Sequence, residues 1–225
     1  MESGELKEKL VEACKILYKE RLIDFMGHLS ARISNDAFVI TPRFASFSRL
    51  DIKDLLTIDL DGNKIEGNHL PPLELPMHQA IYLQRSDVKS VIHTHSKFAT
   101  LLSIAGVSLR PIHHLAIPFI NGLPIFNYFG MIDTIDKAKK LSKALGSNRA
   151  ILLANHGTVV VGTSIEEACI FSIWLEKCAE MQLLIGNKPL NVIRDKQEAS
   201  QLMTHQLEVT IDAAWNYYKR KIEHD

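Results

Sequence analysis

The sequence has few of the features that mark secreted, membrane-bound or nucleic-acid-binding proteins. Its three cysteines show no CxxC spacing, which argues against a disulfide framework or a cysteine-bound zinc site. The 26 basic and 26 acidic residues balance, so the charge excess of a nucleic-acid-binding protein is missing. No stretch approaches the roughly 18 uncharged apolar residues of a membrane helix, and the opening MESGELKEKL has no apolar signal region. We therefore expect a cytoplasmic protein with neither nucleic-acid nor membrane partners.

Hydrophobic patterns along the chain alternate between amphipathic helices and strand hairpins. Cys14, Cys169 and Cys178 lie on the helical patterns beside Ala or Ile, so we expect them to be buried, reduced thiols. Strands and helices mixed over the whole length, without repeats, predict a single three-layer α/β/α domain over residues 1–225 with a mixed central sheet. The predicted helices cover 5–22, 74–85, 96–105, 133–145, 164–186 and 197–222, and the predicted hairpins cover 28–41, 55–67 and 149–162.

Two histidines separated by one residue, His93 and His95, lie in the apolar stretch SVIHTHSKFAT. On a strand they project to the same side, about 7 Å apart at the backbone. They are either buried histidines satisfied by hydrogen bonds or half of a metal site. His156, in the Asn-His-Gly turn of LLANHGTVVV, is either a polar turn residue or a third ligand. Three neutral imidazoles with an open position are typical of a catalytic zinc site, and Mn²⁺, Co²⁺ or Fe²⁺ are alternatives.

Glu74, in the stretch PPLELPMH, is the best candidate for an acid or base near such a metal. The prolines set the entry into a helix, and the carboxylate is either a cap at the helix start or a catalytic group. Burial beside Leu73 and Leu75 is expected to raise the pKa of Glu74. His78, four residues later on the same helix face, is either a partner of the site or a surface histidine.

Taken together, these residues and the surrounding motifs resemble the class II aldolase/adducin family, which includes sugar-phosphate aldolases, an epimerase, a dehydratase and decarboxylases. The resemblance implies an α/β/α fold, with Glu74 as the acid/base and His93, His95 and His156 holding a divalent metal. It also implies a homotetramer with active sites between subunits, in which His114 matches the position of a tyrosine that the aldolases borrow from a neighbouring subunit. The matching motifs are GHLSAR (27–32), ITP (40–42), LDGNKIEG (60–67), PPLELPMHQAIY (71–82), VIHTHSKFATLLS (91–103) and LLANHGTVVVG (152–162).

Three departures from the sugar-phosphate members fall where those proteins bind phosphate. The chain has GHLS at 27–30 in place of Gly-Asn-x-Ser, TPRF at 41–44 in place of Thr-Pro-x-Gly, and Pro71 and Pro72 in place of a Ser-Ser pair. Proline lacks the backbone N–H that would bind phosphate. Arg43 is either a solvated loop charge or a fork of donors suited to a carboxylate. The candidate substrate-binding residues are His28, Ser30, Thr41 and Arg43.

The resemblance implies a metal-dependent carbon–carbon lyase. It would carry out aldol cleavage or decarboxylation of a small hydroxy-carbonyl or hydroxy-carboxylate substrate through a metal-stabilised enediolate. The alternatives are a sugar-phosphate epimerase or dehydratase of the same family, and a non-catalytic adducin-like interaction domain. Tyr217 and Tyr218, in the last predicted helix, either close over the site or pack within the protein.

Overall fold

The computed structural model describes residues 3–186 and 188–223. The helices and strands in these ranges agree with the predicted elements except in two respects: the short strand Ile125–Phe126 is not among the predicted elements, and the first helix ends earlier than expected, because Arg21 takes a positive φ of 63°. They are α1 (Ser3–Lys19), β1 (His28–Arg32), β2 (Ala37–Ile40), β3 (Leu56–Asp59), β4 (Lys64–Glu66), α2 (Leu75–Gln84), β5 (Ser90–Thr94), α3 (Lys97–Ile104), β6 (Ile125–Phe126), α4 (Ile135–Leu145), β7 (Ala150–Leu153), β8 (Gly157–Gly162), α5 (Ile165–Ile185) and α6 (Lys196–Glu223).

The strands of the described chain form one eight-stranded sheet in the order β4-β3-β2-β1-β5-β8-β7-β6. The pair β6 and β7 is parallel and the other pairs are antiparallel, so the sheet is mixed, as predicted. The expected hairpins are present as β1–β2, β3–β4 and β7–β8. The predicted Asn-His-Gly turn therefore joins two neighbouring strands near the middle of the sheet.

Helices cover both faces of this sheet and create two separate hydrophobic cores. On one face, α2 and α4 pack against strand residues such as Val91 and Ile151. On the other, α1, α3 and α5 pack against residues such as Ile92, and α6 lies on α1 and α5. The predicted three-layer α/β/α arrangement is confirmed, and each strand in the middle of the sheet buries side chains on both faces.

Strand alternation directs one histidine of β1 and one histidine of β5 to the same face. Leu29 and Ile92 point into the core beneath α1, α3 and α5. Because neighbouring side chains point to opposite faces, His28 and His93 lie on the face covered by α2. The two histidines are also direct partners in the β1–β5 register, so the sheet places two imidazoles side by side under the start of α2.

Two helices, α2 and α3, begin next to candidate site residues. Glu74 is the N-cap residue of α2 but makes no side-chain cap hydrogen bond, which leaves its carboxylate available for other contacts. Ser96 likewise occupies the N-cap position of α3 without a side-chain cap bond. Instead, Glu176 of α5 accepts hydrogen bonds from the amides of Phe98 and Ala99, at 2.8 and 2.9 Å. The start of α3, directly after His95, is thus held by a neighbouring helix.

The three cysteines are buried and unpaired, as expected. Burial raises the pKa of each thiol, in the case of Cys178 to about 12, so all three are protonated at neutral pH. Within the described ranges, no helix is long and apolar enough to span a membrane.

Replacing Glu176 with Ala should lower the free energy of unfolding by about 1–3 kcal/mol, because two amides at the start of α3 lose a charged acceptor. Urea unfolding followed by circular dichroism measures this loss. Glu180→Ala, one turn further along α5, is the matched control and should change stability by less than about 0.5 kcal/mol. Equal losses in the two variants would show that the cap contributes nothing.

Candidate metal centre and active site

The three predicted metal ligands converge at one end of the sheet. His93 is the fourth residue of β5, His95 follows the end of that strand, and His156 lies in the β7–β8 turn. The Nε2 atoms of His93 and His95 are 3.0 Å apart, and the ring of His156 lies 4.9 and 5.0 Å from the rings of His93 and His95. One ligand atom from each of the three falls within 4.8 Å of the others.

Hydrogen bonding sets the tautomer of His93. Its Nδ1 lies 2.9 Å from the carbonyl oxygen of Thr158, and because a carbonyl can only accept, Nδ1 carries the proton. The lone pair of Nε2 therefore points into the cluster, which is the arrangement of a metal-binding imidazole held by a backbone carbonyl. Burial lowers the pKa of His93, His95 and His156, so the three rings are neutral at pH 7, as metal ligands must be.

One polar atom of this cluster lacks a partner. Within the described residues, the buried Nδ1 of His156 makes no hydrogen bond. Buried nitrogens are rarely left in this state. Three converging imidazoles next to a carboxylate are a donor set that suits a divalent transition metal. The residues present thus fit a metal ion.

Glu74 lies against this cluster. Its Oε2 is 3.5 Å from Nε2 of His93, 3.5 Å from Nε2 of His28 and 3.7 Å from Nε2 of His156. Its Oε1 accepts a hydrogen bond from the amide of Ile132 at 2.7 Å. The side chain is therefore held at both oxygens, and only 7% of the residue is exposed.

The expected rise in the pKa of Glu74 does not occur. Burial does act in that direction, but His28, His93 and the Ile132 amide outweigh it and hold the pKa below its usual value. The expectation considered only the apolar neighbours in sequence, whereas the imidazoles come from other strands. Glu74 is consequently an ionised carboxylate at neutral pH, which is the form that can accept a proton, but the lowered pKa makes it a weaker base than a free glutamate.

A chain of buried side chains connects Glu74 with the interior of the α2 layer. His28 Nδ1 lies 2.7 Å from Nε2 of His78, His78 Nδ1 lies 2.6 Å from the hydroxyl of Ser30, and that hydroxyl lies 2.8 Å from Tyr82 Oη. His78 is fully buried, so the interpretation of it as a surface histidine is wrong. The signal for this chain is the four-residue spacing of Glu74, His78 and Tyr82 along one face of α2.

Only one direction of hydrogen bonding in this chain agrees with the chemistry at its ends. Glu74 is ionised and accepts only, so the Nε2 of His28 that faces it carries the proton. His28 Nδ1 then accepts from His78, and His78 Nδ1 accepts from Ser30. Ser30 accepts in turn from Tyr82, a neutral phenol because burial raises its pKa. The protons therefore all point toward Glu74, and His28 presents a fixed N–H donor to the site.

A cavity of about 200 Å³ opens beside these groups. Glu74 and His28 lie in its wall together with two of the three candidate metal ligands, and the remaining lining is largely apolar. Its other side chains belong to loops that follow α1 and β2, precede α2 and precede α4. The lining residues are Phe25, Met26, Gly27, His28, Arg43, Phe44, Pro72, Leu73, Glu74, His95, Met131 and His156.

This fold and these residues agree with one family of known proteins. The family model described as Class II Aldolase and Adducin N-terminal domain matches residues 8–183. The chain belongs to this family. Its class II aldolases depend on a metal, in agreement with the imidazole cluster found here.

Relatives within the class II aldolase and adducin family include both decarboxylases and aldolases. A 3,4-dihydroxyphthalate decarboxylase from Arthrobacter keyseri is 28% identical over 193 residues, which are 80% of this chain and 78% of that protein. An L-fuculose phosphate aldolase from Methanococcus maripaludis is 30% identical over 180 residues, 80% of this chain and 97% of that protein. The solved structure of L-fuculose 1-phosphate aldolase from Glaciozyma antarctica PI12 gives a TM-score of 0.83 at 26% identity, over 97% of this chain and 88% of that chain.

The candidate substrate residues of this family member fall into two groups. His28 and Arg43 line the cavity, and Arg43 is oriented by a hydrogen bond of 3.1 Å from its Nε to the carbonyl oxygen of Pro71. Ser30 and Thr41 are fully buried instead. The hydroxyl of Ser30 is hydrogen-bonded to His78. The hydroxyl of Thr41 accepts a hydrogen bond from the amide of Leu29 at 3.1 Å. Both hydroxyls are thus engaged within the protein.

The remaining predicted residues lie elsewhere. His114 is exposed, and its ring lies 4.2 Å from that of His113; its contribution to a neighbouring subunit's site stays a prediction. The hydroxyl of the buried Tyr218 accepts a hydrogen bond from Lys177 at 2.8 Å, whereas Tyr217 is exposed. Tyr218 therefore packs α6 onto α5, in agreement with the packing alternative.

Removing one imidazole should abolish stoichiometric metal binding. We expect the purified wild-type chain to bind about one zinc ion, and His93→Ala and His95→Ala to lose it, as measured by inductively coupled plasma mass spectrometry after dialysis. His69→Ala, which removes an exposed imidazole from the surface, should keep the metal. Full zinc content in His93→Ala would contradict the assignment of the centre.

Breaking the chain of buried hydrogen bonds that runs from Tyr82 to Glu74 should destabilise the protein. Ser30→Ala leaves His78 Nδ1 without a partner, so the free energy of unfolding should fall by about 1–3 kcal/mol. Chemical denaturation checks this value, and Ser48→Ala, at an exposed position, is the matched control. A loss no larger than that of the control would mean that the chain of hydrogen bonds is not formed in solution.

Proposed function

We propose that this protein is a metal-dependent carbon–carbon lyase that cleaves or decarboxylates a small hydroxy-carbonyl or hydroxy-carboxylate compound. The observation that carries the proposal is the position of Glu74. Its ionised carboxylate lies 3.5 Å from His93 and borders a cavity that also contains His95 and His156. A proton acceptor beside a triad of neutral imidazoles is the arrangement that such a reaction needs.

Each group of the chain has a separate role in this proposal. A divalent ion held by His93, His95 and His156 would supply Lewis-acid polarisation of the substrate carbonyl, and we favour zinc, with manganese, cobalt or iron as alternatives. Glu74 accepts a proton from the substrate or a water molecule. It returns the proton to the carbon that keeps the electron pair when the carbon–carbon bond breaks. The departing group leaves as an aldehyde or as carbon dioxide.

His28 acts beside Glu74 as an oriented hydrogen-bond donor. Its proton sits on Nε2 because Nδ1 accepts from His78, and this second contact also fixes the ring. A donor held in place before the substrate arrives stabilises negative charge on a substrate oxygen without reorganising. We therefore assign His28 to substrate binding.

The anion recognised at the cavity wall is a carboxylate in this proposal. Arg43 supplies planar donors, and within the described residues it has no carboxylate partner of its own. Pro71 and Pro72 lack the backbone donors that a phosphate would use, so a sugar-phosphate epimerase or dehydratase is the weaker candidate. The complete set of Glu74 and three imidazoles likewise disfavours a purely structural, adducin-like role.

We further propose that the enzyme is a homotetramer with active sites between subunits, to which His114 of a neighbouring chain contributes a proton donor. The exposure of His114 leaves it available for such a contact. Multi-angle light scattering at micromolar concentration tests the assembly, and a monomer would refute both parts.

Changing Glu74 to Gln should reduce turnover by about 10²–10⁴-fold while the zinc content stays unchanged, because the amide keeps the shape but cannot accept the proton. A panel of hydroxy-carboxylates and sugar phosphates, assayed beside metal analysis, checks both quantities. Glu208→Gln, at an exposed position on α6, is the control. Undiminished turnover in Glu74→Gln would refute the assignment of the base.

Replacing Arg43 with Ala should raise KM for a carboxylate substrate by about 10–100-fold, the effect of losing one charge-assisted contact of 1.5–3 kcal/mol. The value of kcat should change much less, because the contact is made equally before and during the reaction. Steady-state kinetics of Arg43→Ala and of the exposed control Arg49→Ala separate the two quantities. An unchanged KM would place the anion elsewhere.

A further inference from the structure

Five exposed apolar side chains line the cavity that contains Glu74, and Met26, which is 41% exposed, is one of them. We call the other four, Phe25, Phe44, Leu73 and Met131, the apolar rim; they are 55%, 68%, 45% and 47% exposed. They come from four separate loops, so no single amphipathic element explains why they meet here. Large apolar groups gathered at one opening mark a binding surface more often than scattered ones do.

Phe25 and Phe44 form the largest part of this rim. Their ring centroids are 6.4 Å apart, and the ring planes are inclined by 39°, within the range of favourable aromatic pairs. Phe44 also takes a φ of 56°, a left-handed conformation that is strained for a bulky residue. The protein thus holds an aromatic ring at the cavity mouth at a position where a glycine would be relaxed.

The cavity lining combines buried polar side chains such as Glu74 and His28 with exposed apolar ones. Glu74, His95, His156 and His28 lie at one end, and Arg43 supplies the single cationic side chain of the lining. A sugar phosphate in this space would place hydroxyl groups against phenylalanine, leucine and methionine, where they would lose their hydrogen bonds with water. A flat apolar body would instead gain from burial and from contact with the two rings.

We propose that the apolar rim binds an aromatic ring, so that the substrate of the lyase proposed above is an aromatic hydroxy acid. The size of the space agrees, since an apolar cavity of about 150 Å³ holds benzene and this one measures about 200 Å³. The hydroxyl and carboxylate oxygens then face His28, Arg43 and the imidazoles, while the ring packs against the Phe25 and Phe44 pair. This inference rests on the proposed function for the reaction, but the ring-binding surface can be tested without turnover.

The test compares the binding of two hydroxy acids, salicylate and glycolate, to the full chain supplied with zinc. Glycolate keeps the hydroxy acid of salicylate but lacks the ring. Isothermal titration calorimetry should therefore give an affinity for salicylate at least about tenfold higher than the affinity for glycolate. Phe25→Ala and Phe44→Gly should each weaken salicylate binding by about three- to tenfold and leave glycolate binding unchanged. Phe129→Ala, which removes another exposed phenylalanine outside the cavity lining, should change neither.

Thermal stability provides a second readout. Because glycine relieves the strained φ, Phe44→Gly should melt at the same temperature as the wild type or higher, although it binds salicylate less tightly. A parallel loss of stability and affinity would assign Phe44 a structural role and overturn its part in ring binding.

Two other results would overturn the proposal. Equal affinity for salicylate and glycolate would mean that no ring is recognised. Unchanged salicylate affinity in both variants, with a shift to smaller assemblies in light scattering, would assign the rim to contact with a second copy of the chain. Failure of the lyase assignment gives a different result from failure of ring binding. In that case salicylate binding still depends on Phe25 and Phe44, but the protein turns over no compound of the substrate panel, aromatic hydroxy acids included.

Discussion

The burial of an ionised carboxylate is the constraint on which the site depends. A charged Glu74 away from water costs several kcal/mol unless its oxygens are paired. The Ile132 amide binds one oxygen at 2.7 Å, and imidazoles on three strands or turns surround the other at 3.5–3.7 Å. These same neighbours keep the carboxylate ionised, which is the form that can accept a proton.

The fold meets this constraint through two simple periodicities. Alternation along β1 and β5, together with their register, places His28 beside His93 on the face beneath α2. The four-residue repeat of α2 then brings His78 and Tyr82 over β1, where Ser30 joins them. No loop is needed to build this half of the site, and regular elements hold catalytic groups more precisely than loops do.

Loops provide the other half, and their chemistry differs. The side chains from the segments after α1 and β2, before α2 and before α4 are largely apolar, apart from Arg43. A polar base held by regular elements, combined with walls that loops supply, allows substrate recognition to vary while the fold stays the same. In the proposed lyase, strands and helices carry the groups for the reaction, and loops carry the groups that contact the substrate.

The sequence by itself determined the helices and hairpins, through hydrophobic periodicity and turn residues. The HxH and Asn-His-Gly motifs made a metal site one of two alternatives, and only the resemblance to a family joined the three imidazoles into one site. The sequence could not determine that His78 is buried, that Ser30 is bonded to it, or that the pKa of Glu74 is lowered. Each of these depends on groups from strands and helices distant in sequence. Periodicity specifies which face a side chain occupies, but only tertiary packing decides which charges and hydrogen-bond partners it meets there.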